Sequence, residues 1–472
     1  MFRSSITLCF LLSILPLQGA KYFVKTNGLD AADGLSVANA WLTIQHAADT
    51  VAAGDIVYVL QGASDGPALF NERVSVSANG SPTAPIIFVA TNHWTATNIQ
   101  VRAWNITGDN IWVIGFEVVQ DAATFPNFWP ALNASGATNL LFCDNYCHNT
   151  QIGADGTVQI HARSDRAIFR GNQIWYSGTT NQGQNMDGHS STWHAIGYSS
   201  GSEYQLLEYN KMSSVGDFFV PWITNCIFQF NHCGTNFTNY ANGGPHIDGL
   251  QCDGPSKYVL FRYNWHVDNM VSNSHMILIE APVSGRNSFI VGVKNVSIRS
   301  GDQLWFQMRD GTNQLAAHNS VGQAGFSHGT PASSGFVRLF SDVNGAPNNC
   351  EAYNSIYTNC STVGGSIYLV ETGSLLSSNS FASTASGDFV PGTAGNLEGD
   401  PLFVDYSKNN LMLQSGSTAI DAGARLTWTT NGGTGTTFGV ANCYWFTDGF
   451  GLTEGDHIYV GDDLDLTITA ID

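Results

Sequence analysis

The chain has 472 residues, 43% of them hydrophobic and only 12% charged, with 50 Gly and a formal net charge of −19. That length suffices for one large or two ordinary domains with a sizeable core. Sparse charge with abundant Gly argues against a mainly helical protein, and the acidity argues against nucleic acid as a partner, because a polyanion needs clustered Lys and Arg.

Residues 1–20 read as a secretory signal: Arg3, the apolar run Ile6 to Leu17, then Gln18-Gly19-Ala20. The run is short for a membrane span and nothing later approaches it. A soluble exported protein, extracellular or periplasmic, is expected. Eight cysteines follow the signal: Cys143, Cys147, Cys226, Cys233, Cys252, Cys350, Cys360 and Cys443. An even count in an exported chain permits local bridges at Cys143/Cys147, Cys226/Cys233 and Cys350/Cys360. The alternative is free cysteines packed in a dry core.

Residues 21–84 open with a strand signal at Tyr22-Phe23-Val24 and turns at Asn27-Gly28 and Asp33-Gly34. Trp41, Ile44, Ala47, Ala48 and Val51 then fall at helical spacing, Gly54-Asp55 stops the helix, and Ile56 to Leu60 is an apolar strand. Together with Leu35-Ser36, Thr43-Ile44-Gln45 and Val57-Tyr58-Val59, this segment resembles the N-terminal cap of secreted right-handed parallel β-helix proteins of the pectin-lyase-like superfamily. The resemblance spans about 22–423 and implies a fold, not one activity.

From residue 85 an apolar strand ending in Asn recurs. Leu141 to Asn145, Ile168 to Asn172, Leu206 to Asn210, Ile227 to Asn231 and Leu260 to Asn264 are the clearest copies. Further copies end at Asn295, Asn319, Asn354 and Asn379, and the intervals are 27, 38, 21, 33, 31, 24, 35 and 25 residues. A constant unit at variable spacing is what a β-solenoid with loop insertions produces. Asn suits the bend between strands because it tolerates left-handed backbone angles, and its amide can bond to the same amide one coil away. These asparagines are therefore read as structural. An all-β, right-handed parallel β-helix of about ten coils is expected over 85–423. The helix-containing cap precedes it and a small C-terminal β appendage follows at 424–472.

A second strand precedes each Asn strand, and alternation along it divides side chains between core and surface. Leu250 and Cys252, Ile277 and Ile279, and Phe306 and Met308 suit the interior. Gln251, Asp253, Glu280, Trp305, Gln307, Arg309 and Arg338 then share an outer face, with His246 and Asp248 at its mouth and His194 in an earlier row. Trp stacks on sugar rings, Gln and Asp bind hydroxyls, and Arg pairs with a carboxylate in a bidentate fork.

β-Elimination of a uronate-containing polysaccharide needs a base beside the carboxylate and cations to neutralise it. His246, Asp248, Arg309 and Arg338 are the catalytic candidates, and Gln251, Glu280, Trp305, Gln307 and His194 the substrate-binding ones. In β-helix lyases calcium often assists, and Asp248, Asp253 and Glu280 could supply oxygen ligands here. The chain departs from that family in lacking the Lys- and Asp-bearing motifs of the pectate and alginate lyases. The expected function is a secreted, monomeric polysaccharide lyase. The alternatives are a glycoside hydrolase using paired carboxylates such as Asp253 and Glu280, and a glycan-binding or adhesive β-helix without chemistry.

Overall fold

The computed structural model describes residues 19–62, 67–92, 98–119, 130–148, 160–175, 195–197, 202–213, 218–234, 248–252, 254–267, 275–279, 287–298, 306–309, 311–322, 326–327, 330–331, 337–340, 348–360, 367–368, 371–372, 374–377, 395–431, 435–443, 445–460 and 464–471. The apolar run of the expected signal and Asn379 lie outside the described residues. No helix among those described is long and apolar enough to cross a membrane. The chain divides into two compact units, residues 1–215 and 216–472. Each is built of parallel strands stacked coil on coil, which is a parallel β-helix.

In the first unit a cap comes first. The strand Lys21–Lys25 pairs in parallel with Ile56–Leu60, and the helix Ile44–Thr50 lies between them in sequence. The helix starts later than the periodicity predicts because its N-terminal end is fixed by side chains. Thr43 accepts the His46 N–H, and the Glu72 carboxylate takes the N–H groups of Ile44 and Gln45. Beyond the cap, Val57, Phe88, Val113, Phe142, Phe169 and Leu207 stand in register on successive strands, all buried.

The second unit repeats the scheme. Phe228, Phe261, Gly292, Ala316 and Ala352 form the inward column of one sheet. A Cβ at Gly292 would lie 2.6 Å from Ile277 Cδ1 and 3.3 Å from Phe306 Cε1. Glycine there lets the two walls of the coil interdigitate. The outer side of the same sheet is also apolar: Ile227, Leu260, Val291 and Leu315 are in register and buried. The strand Ile367–Tyr368 departs from the parallel scheme and pairs antiparallel with Val337–Phe340.

Buried asparagines join the coils. In the first unit Asn145 Nδ2 donates to Asn172 Oδ1 at 3.3 Å, and Asn172 Nδ2 to Asn210 Oδ1 at 3.0 Å. In the second, Asn231, Asn264, Asn295 and Asn319 are linked in the same way, at 2.9, 3.2 and 3.2 Å. Each amide oxygen also takes a backbone N–H from the preceding coil, as Asn264 Oδ1 does from Asn231 N at 3.0 Å. The row then passes to Ser355, Ser374 and Asn396. Asn354 stands one residue outside it and clasps Ala424 instead, accepting its N–H at 2.6 Å and donating to its carbonyl at 2.7 Å. The left-handed angle falls on the residue before each ladder position: Asp144, Gly171, Tyr209, Phe230, Tyr263, Lys294, His318 and Asn354 all have positive φ. The Asn that follows can then turn its amide inward.

The eight cysteines from Cys143 to Cys443 are free thiols, six of them buried. Residues beyond 424 are tied to the second unit. Arg262 forms an ion pair with Asp456, and His457–Val460 makes an antiparallel hairpin with Leu464–Thr467.

Candidate functional site

Four parallel strands of the second unit carry the expected face: Asp248–Cys252, His275–Ile279, Phe306–Arg309 and Val337–Phe340. Leu250, Ile277, Phe306 and Val337 are in register and fully buried, turned to the core that Gly292 makes room for. The next residues along, Gln251, Leu278, Gln307 and Arg338, form the row on the opposite side of the strands. Arg309 follows Gln307 by two residues and pairs with Phe340, so it falls on the same side. The backbone thus brings together Gln251, Gln307, Arg309 and Arg338.

The row is enclosed. Gln251 and Gln307 are each 8% exposed and Leu278, between them, 2%. Positions so buried ordinarily take apolar side chains, and two amides among them are the informative departure. His194, His246, Asp253, Glu280 and Trp305 lie outside the described residues, as do the side chains of Arg309 and Arg338.

Asp248 is placed differently from the expectation of a residue at the mouth of the groove. It is even with Leu250 and Cys252 along its strand, so pleating turns it toward the core, where it is fully buried. Its Oδ1 accepts the backbone N–H of His275 at 2.8 Å and lies 2.8 Å from His275 Nδ1. His275 is its register partner on the next coil. His266, from the strand Trp265–Val267, is a third member of this interior group, with the ring edge of Phe218 packed on it at 5.9 Å. Burial pushes the His266 pKa down to about 3, with Asp248 acting the other way and His275 and His232 adding to the fall. Turned inward to imidazole and amide donors, Asp248 is not suited to the calcium ligation expected of it, and the other two expected ligands, Asp253 and Glu280, lie outside the described residues. Among the described residues, no group of three or more His, Cys, Asp and Glu is placed to hold a metal ion.

His266 and His275 are the members not among the site residues expected from the sequence. Their signals are positional. His275 lies two residues before Ile277 and four before Ile279, on the inward phase. His266 lies two residues after Asn264, the position that Cys147, Ile174, Met212 and Cys233 occupy in other coils, all buried.

No protein-family model and no curated protein sequence matches the chain. Among solved structures, a rhamnogalacturonan lyase aligns with a TM-score of 0.39 and 14% identity, over 66% of this chain and 84% of its own. The GH136 lacto-N-biosidase from Eubacterium ramulus aligns with a TM-score of 0.45 and 10% identity, over 80% and 67%. A pectate lyase, Pel9A, aligns with a TM-score of 0.38 and 14% identity, over 89% and 95%. These likenesses carry over no residue role.

Proposed function

We propose that the protein is an exported polysaccharide lyase that cleaves a uronate-containing polymer by β-elimination on the enclosed face of the second unit. The observation that carries this reading is the register that sets Gln251, Gln307, Arg309 and Arg338 along one row of four successive coils, with Leu278 on the coil between the two glutamines. Enclosed amides bind hydroxyls in fixed orientation. Arg309 and Arg338 neutralise the uronate carboxylate, which acidifies the neighbouring C–H bond and stabilises the enolate-like transition state. His246, two residues before Asp248, takes that proton. The glycosidic oxygen then departs and leaves an unsaturated sugar end. Asp248 supports this face from the interior and does not touch substrate.

Incubation with uronate polymers is expected to raise ultraviolet absorbance from unsaturated ends. Arg309→Ala and Arg338→Ala should each lower turnover at least a hundredfold while circular dichroism is unchanged. Full activity in both variants would remove this face from the chemistry. New reducing ends without unsaturation would make the protein a hydrolase, and binding with neither product would leave a glycan-binding module.

A further inference from the structure

The short strand that follows each ladder asparagine has two outward positions, the first and third after the Asn. In the first unit they form a polar strip. Gln100, Glu117, Tyr146, Gln173 and Lys211 are in register on successive strands, with His148, Trp175 and Ser213 in the column beside them. The residues between the columns, Val118, Cys147, Ile174 and Met212, are fully buried. In the second unit the same positions begin with His232 and Trp265 but are largely apolar or small thereafter, as at Val267, Val296, Ile298 and Gly322, with Ser320 a polar residue among them. The polar character of the first strip is therefore not a general property of this strand.

The strip has a fixed end and an open end. At the fixed end Glu117 is only 8% exposed, yet its carboxylate is held by His148 Nε2 at 2.6 Å and Asn98 Nδ2 at 2.9 Å. The Tyr146 ring stacks on His148 with centroids 4.2 Å apart. Burial alone would raise the Glu117 pKa, but hydrogen bonds from His148, Asn98 and Gln100 outweigh it and keep the carboxylate below its ordinary range. Burial and that neighbouring charge push the Tyr146 pKa up, so its hydroxyl remains a neutral donor. A recess between Gly115, Glu117, Asp144 and Tyr146 opens beside them. Such a cluster costs desolvation energy that a merely solvated face does not require. At the open end Trp175 is 40% exposed and Lys211 lies diagonally across from it on the next coil.

We propose that this strip is a second polysaccharide-binding surface, in which Trp175 stacks on a pyranose ring and Lys211 pairs with the carboxylate of a uronate. The hydroxyl-binding groups are Gln173, Ser213 and the Tyr146 hydroxyl, and the Glu117–His148 pair positions Tyr146. Strands about 4.8 Å apart place one polar side chain per rung along a linear chain. A flat aromatic face beside a single cation matches one pyranose ring and one carboxylate, whereas a nucleic acid backbone needs a run of Lys and Arg that the strip lacks. The inference rests on the proposed function for the class of polymer only. The binding strip does not depend on where the chain is cut.

The test is calorimetric titration of the full chain with a uronate oligosaccharide and with a neutral glucan oligomer. Trp175→Ala should weaken uronate binding at least tenfold. Lys211→Gln should weaken it severalfold and remove the preference for the uronate over the glucan. Arg309→Ala should still bind through the strip even if it no longer turns over. Trp175 and Lys211 are exposed, so both variants should keep the wild-type circular dichroism. Wild-type affinity in both variants would overturn the strip while leaving the lyase reading standing. Binding lost in Trp175→Ala from a protein that cleaves nothing would uphold the strip and remove the lyase. A wild-type protein that binds neither oligomer would overturn both.

Discussion

His266 places an ionisable ring where protonation is strongly opposed. Its folded-state pKa of about 3 lies below the ordinary value of 6.5, so between those values the unfolded chain binds a proton that the folded chain refuses. Stability from this group is therefore complete above about pH 6.5 and falls as the pH drops toward 3. The groups facing it modify the slope without reversing it: Asp248 favours the charged ring, and His275 and His232 oppose it. The acid loss attributable to His266 is on the order of 5 kcal/mol. Among the described residues no protein group bonds to either ring nitrogen. His266→Leu should therefore be nearly neutral at pH 7 and should flatten the stability profile between pH 6 and 3. Urea denaturation at stepped pH measures this directly, and an unchanged acid limb would show that another group controls it. The same interior group marks where residue-level reading stops. Asp248 was visible as a charged residue beside a strand, but two apolar neighbours in phase, Leu250 and Cys252, are too few to reveal that it turns inward. Its partner lies 27 residues away with no local mark.

At the scale of the coil, stacking is held by amides rather than by strand pairing alone. Asn264 is fully buried and joins three coils. It receives Asn231 N and Nδ2 at 3.0 and 2.9 Å, donates to the Phe228 carbonyl at 2.9 Å, and reaches Asn295 Oδ1 at 3.2 Å. Removing the amide leaves several buried polar groups unpaired, each costing about 1–3 kcal/mol. Asn264→Ala should accordingly destabilise the second unit by roughly 3–5 kcal/mol, read as a lower urea midpoint. Asn264→Ser should recover part of that loss, because Ser355 already accepts the Asn319 N–H through its hydroxyl at 3.2 Å. Equal losses in the two variants would mean that the amide N–H groups reaching the Phe228 carbonyl and Asn295, and not the acceptor alone, set the cost. The recurring apolar strand with Asn made the coils legible, since both the strand and the amide that serves it are local. The one-residue offset of the left-handed bend was not legible. Tyr209, Phe230 and Tyr263 take positive φ without being Gly or Asn, and stacking offsets part of the cost, as between Phe230 and Tyr263 at 4.9 Å. The passage from Asn319 to Ser355 was equally hidden, because Asn354 sits at the expected spacing and is used elsewhere.

Across the second unit, the C-terminal residues serve as a fastening and not as a free appendage. Asn354 holds Ala424 through two hydrogen bonds, and Asp456 is paired with Arg262, 194 residues earlier. Arg262 is also held by Gln229, Nε to Oε1 at 2.8 Å, on the outer side of a sheet whose neighbouring row, Ile227, Leu260, Val291 and Leu315, is apolar and buried. No periodicity could have revealed this, because an ion pair between distant segments leaves no trace in either. Asp456 also accepts the Thr447 N–H at 2.9 Å, so one carboxylate fixes both its own segment and the sheet. Asp456→Ala leaves a buried guanidinium with part of its partners removed. Breaking a buried pair from one side costs about 3–5 kcal/mol, and the partial exposure of Asp456 lowers the expected figure to about 2–3 kcal/mol. The loss should appear as a lower melting temperature and as faster proteolysis within residues 424–456, because local release of the fastening precedes global unfolding. Asp456→Asn keeps an acceptor for Thr447 but removes the charge, so it should restore protection of the segment more than it restores the melting temperature. If protease protection in Asp456→Ala equalled that of the wild-type chain, the segment would be held by its apolar contacts, with Trp445 the buried side chain to truncate next.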